Sequence, residues 1–261
     1  ISNTDGDEKQ DCEINAGKRL LPSIRKQHPR MNFVWLADSL YATSKFISLI
    51  KEKSDDNFIL RIQKGDHKYL YKHIDEVDYN KHQTTHKNGK ETLSYHWYKD
   101  VQLNNSCDIK VNVIRVFSTS ENRNGKKTST IVGVWATDLD ITEFNVEEIT
   151  KAARCRWKVE NECFNTLKNL GYAIDHSYGH GKKNLAFNFY VLILLAFTLH
   201  QIHELTDPLF QEARASYGAK KTFWTTLQFL VNIMIFESWI DLMNLAIQSR
   251  KADFKGLSLS P

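Results

Sequence analysis

Asn32-Phe33-Val34-Trp35-Leu36-Ala37-Asp38 is a short apolar run that ends in an acid. Six residues of this composition with no Gly or Pro read as a buried strand. On its N-terminal side, Ile14, Leu20, Leu21 and Ile24 recur at helical spacing within residues 12–29, closed by His28 and Pro29. On its C-terminal side, Leu40, Phe46, Leu49 and Ile50 set a second helix over Ser39–Lys53, and Asn57–Gln63 (Asn-Phe-Ile-Leu-Arg-Ile-Gln) sets a second strand. Helix, strand, helix, strand in this order predicts an α/β fold with parallel pairing, in which ligands collect at the carboxyl ends of strands. Asp38 lies at such an end.

From about residue 58 to 137 the pattern changes to short β-like runs. Tyr69–Ile74, Thr92–Tyr98, Ile109–Phe117 and Ser129–Ala136 are separated by polar stretches, and Asn-Gly occurs in both His86–Lys90 and Glu121–Lys127. Asn-Gly is the preferred hairpin dipeptide, so these runs are expected to pair antiparallel. From Asn145 to about Ile247 the spacing is helical, with breaks near Gly171 and between Asp207 and Ala219. Leu185–Leu199 is the most apolar stretch. It is shorter than the roughly 20 residues a bilayer takes and contains Asn188, so it reads as a buried helix. The apolar stripe of residues 222–247 reads as core or as an oligomer interface.

With 261 residues, 41% hydrophobic and 25% charged, the composition excludes disordered and collagen-like chains and allows one large or two small domains. The four cysteines, Cys12, Cys107, Cys155 and Cys163, form no CxxC pair, which fits a reducing cytosol rather than a disulfide framework. No leader pattern for secretion opens the sequence. The net charge of +4 is small but unevenly placed. Residues 1–13 carry −4, whereas residues 151–183 carry +4 through Lys151, Arg154, Arg156, Lys158, Lys168, Lys182 and Lys183 against Glu160, Glu162 and Asp175. Trp157, Phe164, Tyr172 and Tyr178 are interleaved with these cations, a combination that suits a phosphate backbone with stacked bases or, alternatively, a solvated helix face.

Within that segment Arg156, Glu160 and Lys168 fall near one face of a helix, whereas Glu162 points about 200° away from Glu160. A carboxylate between two cations can hold a divalent ion beside phosphate oxygens, or can simply pair with Arg156 along the helix. Asp38 has two readings as well, metal ligand or helix N-cap. Asp138 and Asp140 follow the Ser129–Ala136 run, and Asp140 opens Asp-Ile-Thr-Glu, the form of a helix cap. His200, His203 and Glu204 read as a helix end. The His176–Lys183 loop could touch phosphates or be a solvated connection.

Taken together, Leu36-Ala37-Asp38-Ser39-Leu40-Tyr41-Ala42, Phe58-Ile59-Leu60-Arg61-Ile62, Trp135-Ala136-Thr137-Asp138-Leu139 and Arg156-Trp157-Lys158-Val159-Glu160-Asn161 followed by Phe164–Asn169 resemble the DDE transposases of bacterial insertion sequences. The subgroup resembled is the one with a β-rich insertion before the last acid, and the resemblance covers roughly residues 9–205. It implies a partial ribonuclease-H-like core interrupted by a β-rich insertion and followed by C-terminal helices. The divisions expected are 1–57, 58–144, 145–205 and 206–261. It also implies Mg-dependent DNA strand cleavage and transfer with two Mg²⁺ ions, at a site in which Asp38 and Glu160 are catalytic and metal-binding. Insertion-sequence ends and target DNA would be the partners, with Arg156 and Lys168 as the DNA contacts the resemblance implies, to which the basic, aromatic segment itself adds Arg154, Trp157, Lys158, Lys182 and Lys183 as expected contacts. A bacterial, nucleoid-associated cytoplasmic location, no membrane and a possible homodimer complete the expectation.

Two positions depart from the family's tyrosine–arginine–glutamate–lysine signature. Ala153 stands where the Tyr would be, and Lys168 follows Glu160 by eight residues instead of the usual seven. No apolar strand ending in Asp precedes the Asp38 strand. The chain is therefore expected to begin partway through the core, without the first catalytic Asp. Two other classes remain alongside this reading, a DNA-binding remnant without catalysis and an interaction protein that associates through its apolar stripe.

Overall fold

The computed structural model describes residues 12–52, 55–85, 91–121, 125–179 and 183–251. The chain divides into two units, Ile1–Trp157 and Lys158–Pro261.

The first unit is a mixed α/β layer structure. Its elements are α1 (Glu13–Gln27), β1 (Val34–Ala37), a 3₁₀ turn (Ser39–Tyr41), α2 (Ser44–Glu52), β2 (Asn57–Arg61), α3 (Lys68–Glu76), β3 (Asn80–Thr85), β4 (Glu91–Gln102), β5 (Lys110–Glu121), β6 (Lys127–Thr137) and α4 (Val146–Lys158). The strands form one six-stranded sheet in the order β1-β2-β6-β5-β4-β3. β1 and β2 are parallel, with Trp35 opposite Phe58, and every other pair is antiparallel. The β-rich stretch is thus an extension of the same sheet, because Leu60 of β2 pairs with Ala136 of β6.

Successive residues of a strand face opposite sides, and the core divides accordingly. Phe58, Leu60, Val113, Val134 and Ala136 face one side, where they meet Leu21 of α1, Phe46, Ile47 and Ile50 of α2, and Leu70, Tyr71 and Ile74 of α3. Ile59, Ile114, Val116 and Trp135 face the other, where they meet Val146, Ile149 and Ala153 of α4. Asp56, 1% exposed, is a buried charge in this layer. It accepts from Phe33 N at 2.9 Å and from Trp35 Nε1 at 2.9 Å, and the Arg25 guanidinium lies 3.2 Å away.

The strand expected at Tyr69–Ile74 is corrected: this stretch is the body of helix α3. Its buried residues Leu70, Tyr71 and Ile74 follow an i, i+1, i+4 spacing that fits a helix and not period two. Between it and β4 runs β3, Asn-Lys-His-Gln-Thr-Thr, a polar edge strand with no apolar alternation to announce it. Its pairing with β4, not its own hydrophobicity, forms it. The turn His86–Lys90 and residues 122–124 of the second turn lie outside the described residues, as do Asp5, Asp7 and Asp11.

The second unit is helical. A π turn (Val159–Phe164) leads into α5 (Asn165–Asn169), followed by α6 (Leu185–Thr206), α7 (Pro208–Ala215), α8 (Lys220–Ile233) and α9 (Trp239–Lys251). Asp207 caps α7, accepting from Leu209 N at 2.9 Å and Phe210 N at 3.2 Å, and Pro208 supplies the first-turn residue that needs no donor. This cap lies inside the expected break at 207–219, where the helices are interrupted at Asp207 and again at residues 216–219. Phe210, Phe223, Trp224, Leu227, Met243 and Ala246 form the core of α7, α8 and α9. The 222–247 stripe accordingly divides: these residues are buried, whereas Phe229, Ile233 and Ile235 are exposed.

Leu185–Leu199 is helical as expected but is not buried. None of the most apolar window of α6 is enclosed, and Leu192 and Leu195 are more than half exposed. The expectation of a buried helix is corrected on this point. By length and composition α6 is the one described helix apolar enough to cross a membrane.

Candidate nucleic-acid interface

α4 owes its start to Glu147 and Glu148 in its first turn, where the helix dipole favours negative charge. Val146, Ile149, Thr150 and Ala153 form its buried face. Packing that face on the sheet leaves Arg154, Arg156 and Trp157 around the helix's last turns. There they line a cavity of about 250 Å³ together with Arg61, Val132, Trp135 and Ala153. Three arginines and two tryptophans thus line one concavity.

Each wall has a local cause. Arg61 ends β2 directly opposite Trp135 in the β2–β6 register, and its guanidinium lies 5.7 Å from the indole centroid, within cation–π range. Trp135 is 3% exposed, with its ring folded back along its own strand over Gly133. A Cβ at residue 133 would lie 2.3 Å from the Trp135 ring, so only glycine admits this rotamer. Ala153 is buried at the wall, and a larger side chain there would fill the cavity. Trp157 is 61% exposed, so most of its indole surface faces solvent, as a stacking platform requires.

Arg154, Arg156 and Trp157 are among the expected DNA contacts, and the structure brings them together. It adds Arg61 and Trp135, which lie within stretches that carry the family resemblance but are not read there as contacts. The sequence signal for Arg61 is a cation closing an apolar strand. Lys168 and Lys183 are exposed in the second unit, and Lys158 is exposed at the end of α4. Lys182 lies outside the described residues.

The acids are distributed differently. Asp38 of the first unit, half-buried at the end of β1, caps the 3₁₀ turn by accepting from Leu40 N at 3.1 Å, so its capping role is realised. Asp138 accepts from Phe58 N at 2.9 Å and from Lys51 Nζ at 2.6 Å, which ties the end of β6 to β2 and α2. Asp140 pairs with Lys99 at 2.7 Å, and that ammonium lowers its pKa. The expected cap role for Asp140 is not met: Asn145 immediately precedes α4, and its Oδ1 accepts from Thr142 N at 2.8 Å. His203 and Glu204 fall in the last turn of α6, the expected helix end, and His200 is the member of that group set back from it. It lies inside α6, 2.6 Å from Tyr172 Oη, and burial lowers its pKa.

Glu160 belongs to the second unit, on the π turn, where its carbonyl accepts from Asn165 N five residues on. An α-helix advanced eight residues overshoots two turns by about 80°. The π turn carries an extra residue and takes up most of that overshoot, which returns Lys168 to the line of Glu160.

Among the described residues no three His, Cys, Asp or Glu side chains gather into a ready-made metal site. The carboxylates that the resemblance assigns to metal, Asp38 and Glu160, are two of the three that a two-ion centre of that family takes, and they do not complete it. No protein-family model matches the chain, and no curated protein is significantly similar to it.

Proposed function

We propose that this chain is a DNA-binding part of a DDE-type transposase catalytic domain, with a partial ribonuclease-H-like core. Its cavity at Arg61, Arg154 and Arg156 would take phosphate groups of a DNA strand while the exposed Trp157 takes apolar sugar or base surface. The observation that carries this reading is the meeting of three arginines from two elements at one concavity, with the exposed Trp157 beside them. Arginine's planar fork suits phosphate oxygens, and phosphate contacts position a strand without reading its sequence. In the family resembled, Mg²⁺ supports strand cleavage and joining. The π turn supports the assignment of Glu160 and Lys168, because it offsets the one departure in spacing. A catalytically inactive DNA-binding remnant is the second reading, favoured by the incomplete carboxylate set.

Fluorescence anisotropy of a labelled duplex across a salt series tests the binding. Affinity is expected to fall steeply with salt. Replacing Arg61, Arg154 and Arg156 together by Ala should reduce the slope of log K against log salt by about 2 to 3, at roughly 0.9 for each phosphate that is no longer neutralised. Binding indifferent to salt or to these replacements overturns the reading. Mg²⁺-dependent nicking by the chain that disappears in Glu160→Gln, with binding kept, selects the catalytic reading over the remnant.

A further inference from the structure

Within the helical unit, α6, α8, α9 and the chain that follows α5 border a cavity of about 260 Å³. Tyr172, His200, Trp224 and Trp239 line it beside Ala196 and Val231, and among the described residues no Lys, Arg, Asp or Glu joins them. Three of the rings brace one another. The His200 and Trp224 centroids are 4.5 Å apart, and Tyr172 lies 5.6 Å from His200 and 5.9 Å from Trp224. A tight loop holds Tyr172 there: its neighbours Gly171 and Ala173 have φ of +91° and +49°, a left-handed backbone that is unfavourable for the alanine. The Tyr172 hydroxyl shares a 2.6 Å hydrogen bond with His200 Nδ1, and the second ring nitrogen, Nε2, has no partner among the described residues.

We propose that this cavity binds a small neutral aromatic molecule that carries a hydroxyl group. Four aromatic side chains offer flat surfaces on which a ring stacks or packs edge-on, a gain beyond the area buried. A wall without charged side chains selects against ions, because a carboxylate or phosphate placed there loses its hydration and finds no partner. A hydroxyl both donates and accepts, so it suits His200 Nε2 whichever way the proton lies between Tyr172 and Nδ1. Volume sets the size. The cavity falls just short of the roughly 300 Å³ at which sites for drug-sized ligands begin, which leaves room for one or two fused rings. Such a ligand has no charge to offer the arginines of the sheet unit, so its binding stands apart from the DNA-binding reading.

Isothermal titration calorimetry of the full chain with 2-naphthol provides the test. Saturable binding with a Kd below about 1 mM is expected, and 2-naphthoate, with a carboxylate in place of the hydroxyl, should bind at least about 10-fold more weakly. Added salt should leave the 2-naphthol affinity unchanged, in contrast to that for a duplex. Ala196→Phe puts a ring into the cavity and should abolish the binding while circular dichroism stays unchanged. No saturable binding of 2-naphthol, equal affinity for 2-naphthoate, or undiminished binding by Ala196→Phe would each overturn the proposal.

Discussion

The sheet unit and the helical unit handle burial in opposite ways. In the first, every strand but the polar β3 lies between packed layers, and the buried charge of Asp56 is held by two N–H donors and a guanidinium. In the second, the aromatic core of α7, α8 and α9 is closed, yet the most apolar helix stands outside it. Arginines gather at the sheet unit's concavity, whereas residues 185–202 of α6 contain no Lys or Arg. The two surfaces therefore differ in chemistry, cationic at the first and apolar at the second.

The contrast breaks most sharply at Asp56. Asp56→Ala strands the Arg25 charge and two buried N–H groups, and should destabilise the sheet unit by about 3 to 5 kcal/mol. Chemical denaturation followed by circular dichroism would measure it, and a loss below about 1 kcal/mol would mean that water replaces the carboxylate.

A smaller effect comes from pH and belongs to the helical unit. His200 Nδ1 and Tyr172 Oη share a hydrogen bond, and burial, with His203 and Lys220 nearby, lowers the His200 pKa from the ordinary value near 6.5. Because the unfolded chain takes up this proton first, the contribution is whole above about pH 6.5. It declines as pH falls from there toward the folded-state value, by at most about 1.4 kcal/mol per pH unit. Thermal melts of the helical unit recorded through Trp224 fluorescence should show the decline, and His200→Asn should flatten it.

Gly171 ranks next. Its φ of +91° and a Cβ position 1.9 Å from Gln228 Nε2 make Gly171→Ala unfavourable by about 1 to 2 kcal/mol, since the backbone strain persists even after the exposed Gln228 side chain moves. Last comes Lys99→Ala, which removes an exposed ion pair with Asp140 and should move the melting temperature by no more than about 2 °C. A larger shift would show that the pair holds the β6–α4 connection.

What is legible in the sequence follows from where burial imposes a period. β1, β2, β5 and β6 are apolar because they lie between layers, and residues such as Phe58, Ile59 and Leu60 alternate between two cores. β3 escapes a reading by hydrophobicity because an edge strand with one neighbour needs no apolar face. α3 imitates a strand because Tyr and Ile favour strands, although burial of Leu70, Tyr71 and Ile74 follows a helix. At the cavity, Arg154, Arg156 and Trp157 are legible as one basic, aromatic segment. Arg61 and Trp135 are not, because they join it only through the β2–β6 register, 74 residues apart in sequence.

The two ends of the sheet differ in a way that bears on aggregation. At one end β3 surrounds its open backbone with Asn80, Lys81, His82, Gln83 and Thr84, side chains that discourage another strand from adding. At the other, β1 is four residues long, and its Val34 is 47% exposed. Among the described residues the two ends therefore limit strand addition by different means, β3 by its polar and charged side chains and β1 by offering only four residues of backbone.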